Sequence, residues 1–369
     1  MEPQQTWMEQ ALSLARCAIG LSEPNPRVGC VIVSADGLRM LGAGHTQAAG
    51  QAHAEIMALR DAQARGHAVS GATAYVTLEP CAHHGRTGPC CDALIAAGMA
   101  KVVASLPDPN PLVGGEGFGR LRAAGVEVVT GPGAAESREL NIGFFSRMRR
   151  QTPWLRMKIA ATLDGKTALD NGASQWITSP AARADGHAWR ARAAAVLTGI
   201  GTVLEDDPRL DVRDVATARQ PDAVVVDSRL QTPVDARIFV PGRRLFIYCA
   251  EPDPARQAAL EAKGATVICR PGPSGKVDLA AMLQDLARRE INELHVEAGH
   301  RLNGSLIQAG LVDELLIYLA PKLIGRGREM ARFGPLADLA EAVAFEFTGS
   351  ETVGPDLRVL ARVPGRDEF

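Results

Sequence analysis

The chain has 369 residues, of which 46% are hydrophobic and 22% are charged, and its formal net charge is −2. This length favours two domains over a single hydrophobic core, and the composition is that of an ordinary globular protein. The balanced charge argues against a nucleic-acid partner, and no apolar run reaches the roughly 18 residues of a membrane span, so we expect no membrane partner either.

The first half of the chain predicts alternating helices and strands. Residues 7–21 have the apolar spacing of an amphipathic helix, and residues 53–65 predict a second helix. Buried strands are expected at residues 28–33 and 74–78. The glycine-rich segment 114–119 follows a proline turn, and we expect it to form a loop.

One local pattern recurs along the whole chain: a helical stretch ends at a glycine and a β-branched run follows. The glycines in this pattern are Gly98, Gly125, Gly264 and Gly310. Glycine adopts the left-handed conformation that ends a helix without a steric penalty. Repeated helix-then-strand units predict α/β layering in both halves.

A domain boundary is expected at residues 147–153, where a short basic stretch ends in proline. Beyond it, the segments that predict strands are residues 154–161, 194–197, 223–227, 245–248 and 293–297. Residues 295–305 predict a strand, a glycine turn and a helix start, which either binds phosphate through backbone N–H groups or is an ordinary connection. No G-x-G-x-x-G fingerprint opens a helix after a strand there, so a Rossmann domain is not indicated.

The chain contains seven cysteines, which is an odd number. Its first residues lack the basic start and apolar stretch of a secretory signal, so we expect a cytoplasmic protein with reduced thiols. In that setting, clustered cysteines indicate a metal site more than disulfide bonds.

The strongest chemical signal is the motif His-Ala-Glu at residues 53–55, which two Pro-Cys dipeptides follow. Zinc deaminases carry H-x-E and then P-C-x-x-C, because three ligands hold Zn²⁺ and leave a fourth position for water. A glutamate that is not a ligand then moves the protons. We therefore predict His53, Cys81 and Cys90 as metal ligands and Glu55 as the general acid and base.

The spacing of the two cysteines leaves other ligand sets open. Eight residues separate Cys81 from Cys90, which is longer than the short zinc-deaminase pattern. The insert contains His83 and His84, which are rival ligands on chemistry alone, and Cys91 competes with Cys90. Cys90 is preferred because a proline precedes it, as one precedes Cys81.

Several motifs of the first half resemble the bifunctional deaminase–reductase family of riboflavin biosynthesis. They are P-N-P-R-V-G-C-V-I-V at residues 24–33, H-A-E at 53–55, T-L-E-P-C-A-H-H-G-R-T-G-P-C-C at 77–91 and D-P-N-P at 108–111. The long cysteine insert is that family's form. The resemblance implies a cytidine-deaminase-like, three-layer domain that removes an amine from 2,5-diamino-6-ribosylamino-4(3H)-pyrimidinone 5′-phosphate.

The resemblance also implies substrate contacts for the deaminase, and these are Asn25, His45, His83, His84, Arg86, Asp108 and Asn110. Arg86 and His83 are donors suited to the substrate's phosphate. Because Asn25 and Asn110 each precede a proline, turn chemistry is the alternative for both. For His45 and His84 the alternative is a solvated loop histidine.

Six segments of the second half resemble the same family's reductase domain. They are K-I-A-A-T-L-D-G-K at residues 158–166, S-Q-W-I-T-S at 174–179, T-V-L-E-D-D-P-R-L at 202–210, V-D-S at 226–228, V-E-A-G at 296–299 and A-P-K-L-I-G at 320–325. The resemblance implies a dihydrofolate-reductase-like fold that uses NADPH, in agreement with the missing Rossmann fingerprint. The implied reaction reduces the ribosyl group to a ribityl chain by hydride transfer to C1′ of a ring-opened imine.

By resemblance, the residues expected to line the cofactor site are Ala160, Trp176, Thr202, Asp206, Ser228, Gly299, His300, Arg301, Leu302, Asn303, Gly304 and Ser305. Those expected to touch the substrate are Ser174, Arg190, Leu210, Arg213 and Glu297, and the two arginines suit a phosphate-bearing substrate.

Lys158 and Asp206 are the candidates for charge or proton supply near the transferred hydride. Each has a simpler alternative. Asp206 could be a turn or capping residue, Lys158 a paired charge at a strand end, and Trp176 a core residue and not a cofactor contact.

The sequence thus predicts an α/β protein with a deaminase domain at residues 1–148 and a reductase domain at residues 149–369, using Zn²⁺ and NADPH. We expect a small phosphorylated pyrimidine as substrate, and the family implies a homo-oligomer. One alternative is a zinc deaminase for a nucleoside or tRNA with an unrelated second half. Another makes the second half a non-catalytic binding or dimerisation module.

Overall fold

The structure is a computed structural model that describes residues 3–83 and 88–369. It divides into two compact units, the first ending at Gln151 and the second running from Thr152 to Glu368, while Phe369 belongs to the first. The predicted boundary between residues 148 and 149 falls inside a helix, Ile142–Arg150. The basic part of the expected boundary segment 147–153 forms the last turn of this helix, where cationic side chains stabilise the helix dipole.

The first unit contains a five-stranded sheet. Its strands are β1 (Gly29–Val33), β2 (Met40–His45), β3 (Thr73–Val76), β4 (Lys101–Ala104) and β5 (Glu127–Thr130). Its helices are α1 (Pro3–Arg16), α2 (Ala54–Ala64), α3 (Cys90–Ala96), α4 (Glu116–Ala123), α5 (Ala134–Leu140) and α6 (Ile142–Arg150). The strand order is β2-β1-β3-β4-β5, with β1 antiparallel to both neighbours and β3, β4 and β5 parallel.

Helices cover both faces of this sheet. Successive side chains of a strand point to opposite faces, so β1 contributes to two separate clusters. Val31 and Val33 pack with residues of α1. Cys30 and Ile32 pack on the other face with residues of α2, α3 and α4. The unit is a three-layer helix–sheet–helix structure, as predicted.

Two local predictions for this unit were wrong in their details. Helix α1 ends at Arg16, and the rest of the predicted helix 7–21 forms turns. The segment 114–119 is not entirely a loop, because α4 begins at Glu116. Gly115 adopts a left-handed conformation (φ 89°) at the N-cap position, which lets the chain enter the helix directly from the preceding turn.

The second unit is built on a nine-stranded sheet. The strands of the unit are β6 (Trp154–Thr162), β7 (Lys166–Leu169), β8 (Ala195–Gly199), β9 (Asp222–Val226), β10 (Leu245–Cys249), β11 (Ala265–Cys269), β12 (Glu293–Val296), β13 (Glu314–Ala320), β14 (Gly327–Glu329), β15 (Glu346–Val353) and β16 (Asp356–Arg362). The helices are α7 (Pro180–Arg192), α8 (Ile200–Asp206), α9 (Pro254–Ala262), α10 (Leu279–Arg288) and α11 (His300–Gln308), with a 3-10 turn at Leu339–Glu341.

The main sheet has the order β11-β10-β9-β8-β12-β6-β13-β16-β15, and β14 pairs separately with β7. The strands from β11 to β13 are parallel, whereas β16 and β15 form an antiparallel hairpin at the edge. All five strands predicted for the second half are present. Because β8, β12 and β6 are adjacent and parallel, their carboxyl ends lie together at one edge, where ligands commonly bind in such sheets.

The recurring helix–glycine–strand pattern is confirmed at all four positions. Gly98, Gly125, Gly264 and Gly310 have φ values of 73°, 82°, 94° and 65°, which lie in the left-handed region. Each follows a helix, and a strand begins a few residues later. Throughout the described residues, no helix has the length and apolar character needed to cross a membrane.

Candidate active sites

Two helix starts and one loop bring the three predicted metal ligands together in the first unit. His53 is the N-cap residue of α2, Cys90 is the first residue of α3, and Cys81 lies in the loop after β3. Their ligand atoms all lie within 4.8 Å of one another. The Nδ1 atom of His53 is 3.6 Å from the Cys81 Sγ and 3.4 Å from the Cys90 Sγ. Two thiols and one imidazole are a donor set that suits zinc.

The surroundings of Cys81 favour its thiolate form. The Cys90 thiol, followed by His53 and the backbone N–H of Cys90, lowers the pKa of the Cys81 thiol by hydrogen bonding to its sulfur. A thiolate is the form in which cysteine binds a metal. The side chains present therefore fit a zinc ion held by one histidine and two cysteines.

The rival ligands lie elsewhere or outside the described residues. The Cys91 Sγ points to Asp92, 3.5 Å from its Oδ1, and packs in the hydrophobic core. His83 is exposed and is not part of the cluster of ligand atoms. The predicted contacts His84 and Arg86 lie outside the described residues.

Glu55 lies in the first turn of α2, two residues after His53, and is only 3% exposed. Its burial, together with the neighbouring Cys81, raises the pKa of Glu55 to about 7. A carboxyl group with such a pKa exchanges protons readily at neutral pH, as a general acid and base must.

The segment with Asp108 and Asn110 lies near this cluster. The charges of His83 and Cys81 both influence the pKa of Asp108, which burial raises above its usual value. The Asp108 Oδ1 accepts a hydrogen bond from the Asn110 N–H, and the Asn110 Oδ1 accepts one from the Leu112 N–H. The turn chemistry considered as the alternative for Asn110 is therefore present.

The other two predicted contacts of this unit, Asn25 and His45, also make local hydrogen bonds. The backbone of Asn25 bonds to Ser22, in a turn. The Nδ1 atom of His45 lies 3.2 Å from the Thr46 carbonyl oxygen and from the Gln47 amide nitrogen. Within residues 3–83 and 88–369, no hydrogen bond joins either residue to His53, Cys81 or Cys90.

In the second unit, a cavity of about 630 Å³ lies at the carboxyl ends of β6, β8 and β12. It gathers most of the residues predicted to bind cofactor or substrate. They are Lys158, Ala160, Ser174, Trp176, Arg190, Thr202, Asp206, Leu210, Arg213, Glu297, Gly299, His300 and Asn303.

The remaining predicted cofactor residues do not line this cavity, and they are Ser228, Arg301, Leu302, Gly304 and Ser305. On α11 the reason is helical periodicity, since only one face of the helix points to the cavity. Gly304 lies on another face, where an added Cβ atom would come within 1.8 Å of the Arg332 carbonyl oxygen. The Ser228 hydroxyl accepts a hydrogen bond from the Val277 N–H instead.

Arg190 and Glu297 form a nearly buried ion pair in the cavity wall. The Arg190 Nε and Nη2 atoms donate to the two oxygens of Glu297 at 2.7 and 2.9 Å. Although burial would raise the pKa of Glu297, Arg190 and Lys158 outweigh it and hold this pKa well below its usual value. Glu297 thus compensates the charge of Arg190. Arg213 also pairs with a carboxylate, that of Asp211, but its own side chain is about half exposed.

Lys158 and Asp206 differ in their surroundings. Burial, with a contribution from Arg190, lowers the pKa of Lys158, whose Nζ lies 6.0 Å from the Tyr318 ring centroid. Asp206 is the exposed last residue of α8, and partial desolvation of its carboxyl group, followed by the charge of the neighbouring Glu205, raises its pKa.

Trp176 is 64% exposed at the cavity, which excludes a core role. The guanidinium carbon of Arg183 lies 4.4 Å from its ring centroid, a cation–π geometry. Sequence reasoning missed four cationic lining residues, namely Arg183, Arg209, Arg237 and Arg328. Arg183 and Arg209 lie within or beside the quoted segments, but isolated arginines carry no spacing signal.

Two family models match the chain. "Cytidine and deoxycytidylate deaminase zinc-binding region" matches residues 1–106, and "RibD C-terminal domain" matches residues 153–359. The riboflavin biosynthesis protein RibD of Escherichia coli (strain K12) is 46% identical over 370 residues, covering 95% of this chain and 97% of the relative. The riboflavin biosynthesis protein RibD of Aquifex aeolicus (strain VF5) is 39% identical over 359 residues, covering 97% of this chain and 98% of the relative.

Solved structures with a similar fold span both units. Acinetobacter baumannii RibD, form 1, has a TM-score of 0.89 at 38% identity and covers 98% of this chain and 99% of its own. A diaminohydroxyphosphoribosylaminopyrimidine deaminase/5-amino-6-(5-phosphoribosylamino)uracil reductase from Thermotoga maritima has a TM-score of 0.84 at 31% identity, with the same coverage. The predicted fold class, with a cytidine-deaminase-like and a dihydrofolate-reductase-like domain, is confirmed.

Proposed function

The chain belongs to the RibD family of bifunctional riboflavin-biosynthesis enzymes, and from this premise we propose which of its residues carry out each reaction. It is a zinc-dependent pyrimidine deaminase and an NADPH-dependent reductase in one polypeptide. The deaminase removes the exocyclic amine of the phosphorylated pyrimidine. The reductase then converts the ribosyl side chain to a ribityl chain, giving 5-amino-6-(5-phosphoribitylamino)uracil.

We propose that His53, Cys81 and Cys90 hold the zinc ion and that Glu55 moves the protons of deamination. The convergence of the three ligand atoms beside the buried Glu55 carboxyl group carries this assignment. When bound there, zinc supplies a Lewis acid that lowers the pKa of water to about 7. Glu55 takes a proton from the attacking water and delivers it to the ring nitrogen. It then takes a second proton, from the newly formed hydroxyl group, and delivers that one to the leaving amine.

The substrate of this reaction needs polar partners beside the metal-binding cluster. We propose Asp108 and Asn110 for this role because the family resemblance implies both and because Asp108 lies close enough to His83 and Cys81 for their charges to act on its carboxyl group. The remaining proposed contacts, which rest on the family resemblance alone, are Asn25, His45, His83, His84 and Arg86.

For the reductase, we propose that NADPH and substrate share the cavity at the carboxyl ends of β6, β8 and β12. Residues of the α11 start, with Thr202 and Trp176, line the part proposed for the cofactor. The Arg190–Glu297 pair, with Ser174, Leu210 and Arg213, lines the part proposed for the substrate. Lys158 is the favoured proton donor over Asp206, since it is less exposed and, because burial lowers its pKa, its ammonium group gives up a proton more readily than that of an ordinary lysine.

Two variants of the full-length chain test these assignments together. Glu55→Gln should keep one zinc per chain and lower deamination about 10³-fold, while NADPH oxidation with deaminated substrate is unchanged. Lys158→Met should lower NADPH oxidation about 10²-fold and leave deamination intact. Metal analysis and the two separate assays measure these effects, and loss of both activities in either variant would contradict the assignment.

We also propose that the chain acts in the cytoplasm and forms a homo-oligomer. All seven cysteines are unpaired thiols, which accords with a reducing compartment. Large hydrophobic side chains are exposed in the segment before and within β15, including Leu339 (88% exposed) and Phe347 (83%). Exposed apolar side chains on a sheet edge are typical of a surface that pairs with another chain.

A further inference from the structure

Glu79 is a buried carboxylate that neither reaction uses directly. It lies in the loop after β3, two residues before Cys81, and is 6% exposed. Its side chain accepts three backbone hydrogen bonds from a distant part of the unit. The Oε2 atom accepts from the N–H groups of Asp108 and Gly115, both at 2.9 Å, and the Oε1 atom accepts from Phe118 at 3.1 Å.

The three hydrogen bonds to Glu79 hold both ends of the segment 108–118 in place. Gly115 is the N-cap residue of α4 and Phe118 lies in its first turn, so Glu79 satisfies N–H groups that have no partner within the helix. The helix also approaches the loop closely at Gly117, where an added Cβ atom would lie 2.0 Å from the Pro80 carbonyl oxygen. One carboxylate and one glycine therefore hold this segment against the loop that carries Cys81.

We infer that Glu79 is a positioning residue for deamination. It holds Asp108 and Asn110 in a fixed position relative to the metal ligand Cys81. The inference rests on the proposed roles of Asp108 and Asn110 as substrate contacts. Glu79 positions Asp108 directly, because its Oε2 atom accepts a hydrogen bond from the Asp108 N–H. The Asp108 carboxylate in turn accepts a hydrogen bond from the N–H of Asn110. Glu79 therefore fixes the backbone of Asp108 directly and that of Asn110 through Asp108.

The chemistry requires a carboxylate at this position. Both of its oxygens accept hydrogen bonds, and a glutamine has only one acceptor oxygen. In Glu79→Gln the amide NH₂ group would face at least one of the three backbone donors, which would then remain buried and unsatisfied. The segment 108–118 is expected to loosen, while His53, Cys81 and Cys90 keep their own positions.

The test uses the full-length, zinc-loaded Glu79→Gln variant. We expect the KM of deamination to rise about tenfold with a smaller change in kcat, because misplaced contacts weaken substrate binding. Zinc should remain at one per chain and NADPH oxidation by the reductase should be unchanged. Amide hydrogen exchange should accelerate at Asp108, Gly115 and Phe118. Glu116→Gln, which removes an exposed carboxylate from the same helix start, is the matched control and should change none of these quantities.

An unchanged KM, unchanged exchange at the three amides, or loss of zinc from Glu79→Gln would overturn the inference. Asn110→Ala separates it from the proposed function. If Asn110→Ala raises the KM and Glu79→Gln does not, only the positioning role fails. If neither raises the KM, the proposed substrate contacts fail as well. Should Glu79→Gln not fold, Gly117→Ala displaces the same helix from Pro80 and is expected to give the same rise in KM with zinc retained.

Discussion

At the scale of single residues, direction matters as much as residue type. Cys90 and Cys91 are adjacent and both are buried, yet their side chains point about 100° apart around the start of α3. The Cys90 thiol lies beside His53, and the Cys91 thiol lies in the core beside Asp92. The spacing in the sequence could not show which of them is the metal ligand. In the short pattern a tight turn places the second ligand three residues after the first, and the family's long insert replaces that turn.

This geometry predicts opposite outcomes for two neighbouring substitutions. Cys90→Ser should lose most of its bound zinc, since a serine hydroxyl is a poor zinc ligand. Cys91→Ser should keep stoichiometric zinc and lose only some stability. Metal analysis of the two purified proteins checks this, and retention of zinc by Cys90→Ser with loss from Cys91→Ser would assign the ligand to Cys91.

The second residue-scale prediction concerns the pH dependence of the reductase. If the protonated Lys158 donates the proton, the reductase rate is highest below its pKa and falls as the pH rises through it. Because burial lowers this pKa below the usual 10.5, the fall should occur at a lower pH than for an exposed lysine. In Lys158→Arg, the side chain stays charged, so any residual rate should no longer fall in this range. NADPH oxidation measured between about pH 7 and 10 distinguishes the two proteins, and an identical decline in both would exclude Lys158 as the donor.

At the scale of elements, backbone conformation decides what a glycine contributes. Gly119 lies inside helix α4, and Gly125 follows it in a left-handed conformation with φ of 82°. An added Cβ atom would meet nothing within 4 Å at either position. Only the backbone conformation therefore separates the two sites.

We predict that Gly119→Ala stabilises the first unit by about 1 kcal/mol through its higher helix propensity. Gly125→Ala should destabilise it by about 1–2 kcal/mol, because a side chain is strained in the left-handed region. Denaturant titration of the two variants measures both changes. If both substitutions changed the free energy of unfolding in the same direction, their effect on the unfolded chain would outweigh their effect on the native backbone.

Elements with a local signal could be predicted from the sequence, and those without one could not. The junctions at Gly98 and Gly310 were found because a helix pattern, a glycine and an apolar run occur together. Strand β15 was missed because nearly all of its residues are exposed, so it has no alternation of apolar and polar side chains. Cavity residues on α11 were predicted as one continuous segment, whereas only one face of the helix reaches the cavity.

At the scale of the whole molecule, one chain combines two folds and two chemistries, and each site lies within one compact unit. The motifs that carried the family resemblance were enough to predict both activities. The polar network around them was not, because Glu79 and the Arg190–Glu297 pair form contacts between residues far apart in sequence. Such pairings depend on the tertiary fold and leave no periodic signal.

Self-association is the prediction at this scale. Strand β15 is the edge of the nine-stranded sheet, and Phe347 on it is 83% exposed. If a second copy covers this strand, Phe347→Glu should lower the oligomeric mass, since burying an unpaired carboxylate is costly. Sedimentation of the parent and variant proteins measures this. A parent that sediments as a monomer, or a variant with unchanged mass, would refute the use of this edge.

The exposure of Trp176 also has an optical consequence. The chain has four tryptophans. Trp154 is fully buried, whereas Trp176 is exposed at the cavity of the second unit, where Arg183 lies over its ring. Indole emission overlaps the absorption of a reduced nicotinamide, so a dinucleotide bound in that cavity would quench Trp176 by energy transfer. A fluorescence titration of the parent chain against Trp176→Phe would then report occupancy of the reductase site directly, without any turnover.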